Sequence, residues 1–277
     1  MTKIEWCDET INPIVGCNKI SAGCANCYAE NMARRLAAMG RGQYVRVIDE
    51  KGCWNGETTF VPTELEKPSR WKKPRRIFIG SMGDIFHETV WRCWLDDVLE
   101  MVVTNPRHTF MMLTKRPQRM KEFFELSVPA GLPGNLWMGV SVENQEAAAE
   151  RIPLLLQIPA AVHFVSIEPL LGPVDLTRID NPITGPGSSQ PVAPPSYRRL
   201  DAISGMAAIL DHKNRGAGHQ LYKGLDWVIA GPENGNKKRP YQLEWFYSLR
   251  KQCHAAGVPF FLKTIDLEGV QVREFSV

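Results

Sequence analysis

From residue 75 onward the chain repeats one unit: a short run of apolar, β-branched or aromatic residues that ends in polar groups, followed by a stretch with helical spacing. The runs are RRIFIGS (75–81), HTFMMLTK (108–115), LWMGVSVE (136–143), VHFVSIEP (162–169), LDWVIAGPE (225–233) and VPFFLK (258–263). Continuous apolar runs of this length suit strands buried on both faces, as in a parallel sheet. Helices are predicted between them over about 89–104, 117–126, 144–157 and 242–256, the last closed by Gly257 as a C-terminal cap. Another begins near Tyr28 and runs through AENMARRLAAM. Strands alternating with helices wind as right-handed β-α-β units, into either a barrel or a doubly wound sheet.

The placing of polar residues favours an α/β barrel, partial or complete, with mainly parallel strands. Each run ends on its C-terminal side with groups capable of chemistry: Ser81 and Asp84, Thr114 with Lys115 and Arg116, Ser141 and Glu143, Ser166 and Glu168, Glu233 and Asn234, and Lys263. Ligands of parallel sheets bind at those ends, so six contributing strands suggest one shared bowl. Taken singly, each pair also reads as a strand-end turn or a helix cap. Residues 181–223 break the rhythm: NPITGPGSSQPVAPPS reads as irregular loop and SGMAAILDHK as a short helix, together an insertion in one domain spanning 1–277.

The chain is 277 residues long, 44% hydrophobic and 23% charged, enough to bury a sizeable core. The opening MTKIEWCDET lacks the basic flank and apolar stretch of a signal peptide, and no run approaches the roughly 20 apolar residues of a membrane span. A cytoplasmic location is expected, the host cytoplasm if a phage encodes the chain. The net charge of +3 is mildly basic. Basic groups gather in RWKKPRR (70–76), at Arg198 and Arg199, and in NKKRP (236–240), readable as solvated surface or as contacts to a polyanion.

Seven cysteines in such a chain read as metal ligands or packed thiols rather than disulfides. Three cluster in GCNKISAGCANCYAE, where Cys17, Cys24 and Cys27 are spaced C-x6-C-x2-C. Thiolates bind soft metals, and an x2 pair preceded by Gly23 lets two sulfurs face one centre. Three close ligands suit an iron–sulfur cluster with one iron open to a small molecule. A zinc site needs a fourth ligand, available in principle from Cys7, Cys53, Cys93, Cys253 or a histidine. The other four cysteines otherwise read as packed thiols.

Long matches then carry a family resemblance: EW…NPIVGC…SAGCANCYAE, RRIFIGSMGDIFHE, LTKRPQRM, LWMGVSVENQ, ERIPLLLQIPAAVHFVSIEPLLGPVDL, LDWVIAGPENG and AAGVPFFLK. The chain resembles, nearly end to end, the three-cysteine-motif family of phage and bacterial proteins, also called the phage Gp37/Gp68 family (DUF5131). Its members are regarded as radical S-adenosylmethionine proteins. The cysteine spacing departs from the C-x3-C-x2-C of most such enzymes, and GPENG (231–235) has Pro232 where a flexible glycine is typical.

The resemblance implies a barrel of the radical S-adenosylmethionine type. It also implies a 4Fe-4S cluster on Cys17, Cys24 and Cys27 whose open iron binds S-adenosylmethionine, and formation of a 5′-deoxyadenosyl radical after reduction by a partner protein. GSMGD (80–84) is implied to bind the cofactor's amino group through Ser81 and Asp84, although Asp84 also reads as a helix cap. Ser141 and Glu143 suit the ribose or carboxylate, and Lys115 or Arg116 the carboxylate, because cations pair with carboxylates and carboxylates with hydroxyls and ammonium. Glu168, Glu233 and Lys263 are the catalytic candidates, with a buried ion pair among themselves as the plain alternative. Phage occurrence and the basic segments point to a modified base in DNA, such as a hypermodified thymine, rearranged or modified after base flipping. Lys72, Lys73, Arg75 and Arg76 are then phosphate-contact candidates. The competing readings are a zinc- or cluster-stabilised nucleic-acid-binding protein, and a radical enzyme acting on a peptide or small metabolite.

Overall fold

A computed structural model describes residues 4–127, 131–180, 197–210, 216–235, 237–267 and 270–276. The chain opens with strands β1 (Glu9–Ile11) and β2 (Ile14–Val15), helices α1 (Tyr28–Ala38) and α2 (Gly42–Val45), strand β3 (Thr59–Phe60) and helix α3 (Lys67–Arg70). The repeat follows as β4 (Arg76–Ile79), α4 (Arg92–Thr104), β5 (Thr109–Thr114), α5 (Pro117–Ser127), β6 (Leu136–Ser141), α6 (Gln145–Leu155) and β7 (Val162–Ile167). Four strands come next: β8 (Ile179–Asp180), β9 (Tyr197–Asp201), β10 (Met206–Leu210) and β11 (Gly216–Leu221). The chain then returns through β12 (Trp227–Ala230), α7 (Leu243–Ala256), β13 (Phe260–Leu267) and β14 (Val270–Ser276).

The main sheet has the order β1-β4-β5-β6-β7-β12-β13-β14. Its first seven strands are parallel, and β14 turns back antiparallel on β13. Strand order follows chain order, so the sheet winds one way and curls into a half-barrel instead of reversing at a switch point as a doubly wound sheet does. All six predicted strands and the helices over 92–104, 117–127, 145–155 and 243–256 fall where the apolar pattern put them. Gly257 closes α7 in the left-handed region at φ 67°.

Alternation along the strands separates two cores, as the two-residue period of a strand requires. Ile77 and Ile79, Val165, Val228 and Ala230, and Phe260 and Leu262 pack in one large core together with Val98, Met120, Ile152 and Leu249 of the helices. Phe78, Met111, Phe164, Trp227, Ile229 and Phe261 point the other way and fill the inside of the curl with Trp6. Trp6 sits before β1, its ring 4.8 Å from Phe78, 6.3 Å from Phe164 and 6.4 Å from Trp227. Glu5 beside it accepts hydrogen bonds from Thr264 at 3.2 Å, which ties the N-terminal segment to β13 across the open side.

Two expectations change. Residues 206–210 of the predicted helix SGMAAILDHK form strand β10 instead, paired antiparallel with β9 and β11. The insertion read as irregular carries an antiparallel sheet of order β11-β10-β9-β8. Its Leu200, Ala202, Ile203 and Ala207 join the large core. Gly205, at φ 72° with Tyr222 O and Gly224 N where a Cβ would sit, makes the tight turn that precedes β10. The NPITGPGSSQPVAPPS stretch lies outside the described residues. No helix among the described residues is long and apolar enough to cross a membrane.

Candidate active site

A cavity of about 290 Å³ opens at the C-terminal ends of the parallel strands. Cys17, Cys24 and Cys27 line it together with Ser81, Asp84, Lys115, Arg116, Ser141, Glu168, Glu233 and Lys263. Eleven of the twelve residues predicted as metal, cofactor or catalytic groups thus share one space. Its apolar wall comes from the inside of the curl, through Trp6, Phe78 and Leu113. Among the described residues no group of three His, Cys, Asp or Glu side chains closes on a point as a single ion requires.

The cysteine loop is seated by backbone contact. Gly16 and Gly83 form a parallel bridge, with Gly16 N donating to Met82 O at 3.2 Å. A Cβ on Gly83 would lie 2.6 Å from Gly16 O. The glycine of GSMGD therefore serves close approach of two chains. Ser81 donates to Asn12 Oδ1 at 3.1 Å, and Met82 N donates to the same oxygen at 2.8 Å.

Asp84 and Arg116 lie behind Cys17 with little left to offer a ligand. The Asp84 carboxylate accepts from Thr114 Oγ1 at 2.7 Å, Phe86 N at 3.0 Å, Lys115 N at 3.2 Å and Arg116 Nη1 at 3.0 Å. Arg116 also donates to Glu88 at 2.8 Å, to the Cys17 sulfur at 3.8 Å and, through Nη2, to Asn18 Oδ1. His87, a buried side chain, donates from Nε2 to the same Asn18 oxygen at 2.9 Å. Burial and the Asp84 carboxylate push the Cys17 thiol up to about 12 despite Arg116. Burial acts the same way on Cys24, but the Ile20 backbone, the Lys115 cation and Ser21 outweigh it and hold that thiol below its ordinary value.

Lys115 is a cation with room to act, since among the described residues its ammonium bonds only Ser141 Oγ, at 2.7 Å. At the ends of β7 and β13, Glu168 Oε1 and Lys263 Nζ form an ion pair at 2.7 Å, and Ser166 donates to Glu168 Oε2 at 3.1 Å. Burial works against the Lys263 charge, but Glu168 outweighs it and holds the ammonium above its ordinary pKa. Gly231 faces this pair, and a Cβ there would come within 2.9 Å of Glu168 Oε1.

Two further predicted residues stand elsewhere or do something else. Glu143 is not among the cavity-lining residues; it is buried beneath the cysteine loop, bonded to Arg151 at 2.9 Å and packed under Gly23. Glu233 faces the cavity, but its carboxylate is fully engaged: Oε2 accepts from Asn26, Arg239 N and Arg239 Nε, each at 2.9 Å, and Oε1 from Arg239 Nη2 at 2.5 Å. Arg239 Nη1 continues to Ala22 O at 3.0 Å, so the loop after β12 is latched onto the cysteine loop. The pair predicted among the catalytic candidates is thus Glu168 with Lys263, while Glu233 pairs with Arg239.

The basic segment is at the wrong end for the cavity. Lys72, Lys73, Arg75 and Arg76 precede or begin β4, at the N-terminal ends of the strands. There Arg75 binds Glu9 at 2.5 Å and lies 5.1 Å over the Trp71 ring, and Arg76 lies 3.9 Å from Asp8. Of the four remaining cysteines, Cys7 and Cys253 are buried, each pushed up to about 12 chiefly by burial, whereas Cys93 is exposed. Asn12, Asn18, Asn26, Arg151 and Arg239 organise the site without having been singled out. Only Arg239 carried a signal, as part of a basic run directly after a strand.

No curated protein and no solved structure matches the chain. A family profile described as protein of unknown function (DUF5131) matches residues 1–269. The chain belongs to that family.

Proposed function

We propose that the chain is a radical S-adenosylmethionine enzyme that carries a 4Fe-4S cluster on Cys17, Cys24 and Cys27. The observation that supports this reading is the placement of all three thiols on one cavity with the polar ends of the parallel strands. The donor set fits the group: a multi-iron cluster takes each thiolate on a different iron and needs no convergence on one point. Three ligands leave one iron for a small molecule drawn from the cavity. When bound, cluster and S-adenosylmethionine supply a 5′-deoxyadenosyl radical after one-electron reduction by a partner protein.

The chain's own residues orient and shield. Lys115 is free to pair with a carboxylate, while the hydroxyls of Ser81 and Ser141 and the Glu168 carboxylate offer partners for ammonium and ribose groups. Asp84 and Arg116, predicted as direct ligands, act instead as the support of Cys17. Trp6, Phe78 and Leu113 exclude water from the inner wall, which strengthens every polar contact inside. Glu168 and Lys263 face the cavity as the pair able to hold or move a proton on the substrate. As substrate we propose a modified base, such as a thymine derivative in phage DNA, rearranged or modified after flipping into the cavity. The resemblance to a phage family supports that choice.

Anaerobic purification with iron and sulfide analysis, followed by assay of 5′-deoxyadenosine from S-adenosylmethionine and a strong reductant, tests the reading. Replacing any one of the three cysteines by alanine abolishes both cluster and cleavage if it holds. A colourless, zinc-loaded protein that never cleaves S-adenosylmethionine sinks it in favour of a structural metal site.

A further inference from the structure

The first cavity does not end at its rim. A groove of about 490 Å³ runs between α1 and the loop after β12, and it shares Asn26, Tyr28 and Asn234 with the cysteine-lined cavity. Its walls carry three cations, Arg34 and Arg35 from α1 and Lys237 from the loop. All three are exposed, and among the described residues no carboxylate lies within ion-pair distance of any of them. Among the described residues Arg34 donates only to Asn31 Oδ1, at 3.3 Å. The one acidic residue among the described residues lining the groove, Glu30, is buried and already spent on Lys19 at 2.8 Å and on the Trp54 backbone N–H at 3.2 Å. The groove therefore presents an uncompensated positive lining. Tyr28, 51% exposed, stands where groove and cavity meet.

We infer that this groove is the track of a single-stranded nucleic acid whose phosphates meet Arg34, Arg35 and Lys237 while the base entering the cavity passes over Tyr28. A cationic groove combined with an aromatic side chain is the arrangement that binds single strands, through phosphate neutralisation and stacking on a π-face. A strand laid there delivers a base to the cavity without crossing the molecule, which the Lys72–Arg76 segment at the opposite strand ends cannot do. The inference rests on the proposed action upon a base and names the residues that bring it in.

The test uses the full chain, purified anaerobically, and a fluorescent single-stranded DNA of about 15 nucleotides in anisotropy titrations over a range of salt. The double variant R35E/K237E should bind at least about tenfold more weakly, and the slope of log affinity against log salt should flatten by roughly 1.4 for two lost phosphate contacts. Tyr28→Leu should weaken binding by about fivefold or more while leaving the salt slope unchanged, because stacking releases no counterions. Unchanged affinity in R35E/K237E, or a loss carried instead by K72E/K73E at the opposite face, overturns the groove. Iron content measured on the same samples separates the two readings. Iron-free protein that still binds DNA through the groove refutes the radical chemistry alone, and iron-loaded protein indifferent to R35E/K237E refutes the groove alone.

Discussion

Glu233→Gln should loosen the cysteine loop without unfolding the half-barrel. The side chain is buried, and its carboxylate collects four donors from Asn26 and Arg239, which itself reaches Ala22. Those donors, with the Arg239 guanidinium first among them and against the opposing effect of burial, lower Glu233 from the ordinary 4.5 to about 2. A lowering of that size corresponds to roughly 3 kcal/mol of preference for the charged form. Because the Arg239 side chain is 32% exposed, water screens part of it, and about 2 kcal/mol is the working figure for the latch. Glutamine keeps the shape but offers one fewer acceptor and turns an NH₂ toward a guanidinium. Hydrogen exchange followed by mass spectrometry reads the result: amides of 21–27 and 233–239 should exchange about thirtyfold faster in the variant, with the core strands unchanged. The pH dependence has a definite sign. The folded value lies below the unfolded one, so the latch is fully stabilising above about pH 4.5 and weakens as pH falls toward 2, a dependence that Glu233→Gln should abolish. Protection of 21–27 that is identical in both proteins would falsify the latch.

Arg151→Met leaves the Glu143 carboxylate buried without its cation and should cost about 3–5 kcal/mol, measured by urea unfolding. Burial acts to raise Glu143, but Ser21 and Arg151 hold it below its ordinary value, so the wild type should lose this contribution as pH falls, and a variant equal in stability to wild type refutes the pairing. Gly139→Ala places a Cβ 2.5 Å from the Phe164 ring inside the curl and should cost about 1–3 kcal/mol. Adding Phe164→Leu should recover part of that loss in the same denaturation assay, and no recovery would locate the strain elsewhere.

The strand–helix repeat was readable because both faces of each parallel strand are buried, leaving the unbroken apolar runs at 77–79, 110–113 and 227–230. Strand β1 escaped notice, for three residues carry too little pattern to separate a strand from a turn. The sheet inserted before β12 escaped for another reason. MAAIL has no local preference strong enough to choose, and pairing with β9 and β11 decides it.

The candidate site divides along the same line. The chain itself determines which chemical groups stand at strand ends, and parallel winding in chain order carries them to one cavity whatever their partners. It also places three thiols within eleven residues, close enough for a common centre. Which of those groups remain available to a ligand is decided only by tertiary structure, because the partners that consume them come from distant segments. Asp84 is filled from β5 and its following loop, Glu233 from the cysteine loop and Arg239, and Glu143 from α6. Lys115, Glu168 and Lys263 keep faces toward the cavity, and the basic run beginning at Lys72 is carried to the far strand ends. A strand has two ends, and sequence spacing names the residues at each without showing which end will meet the cysteines.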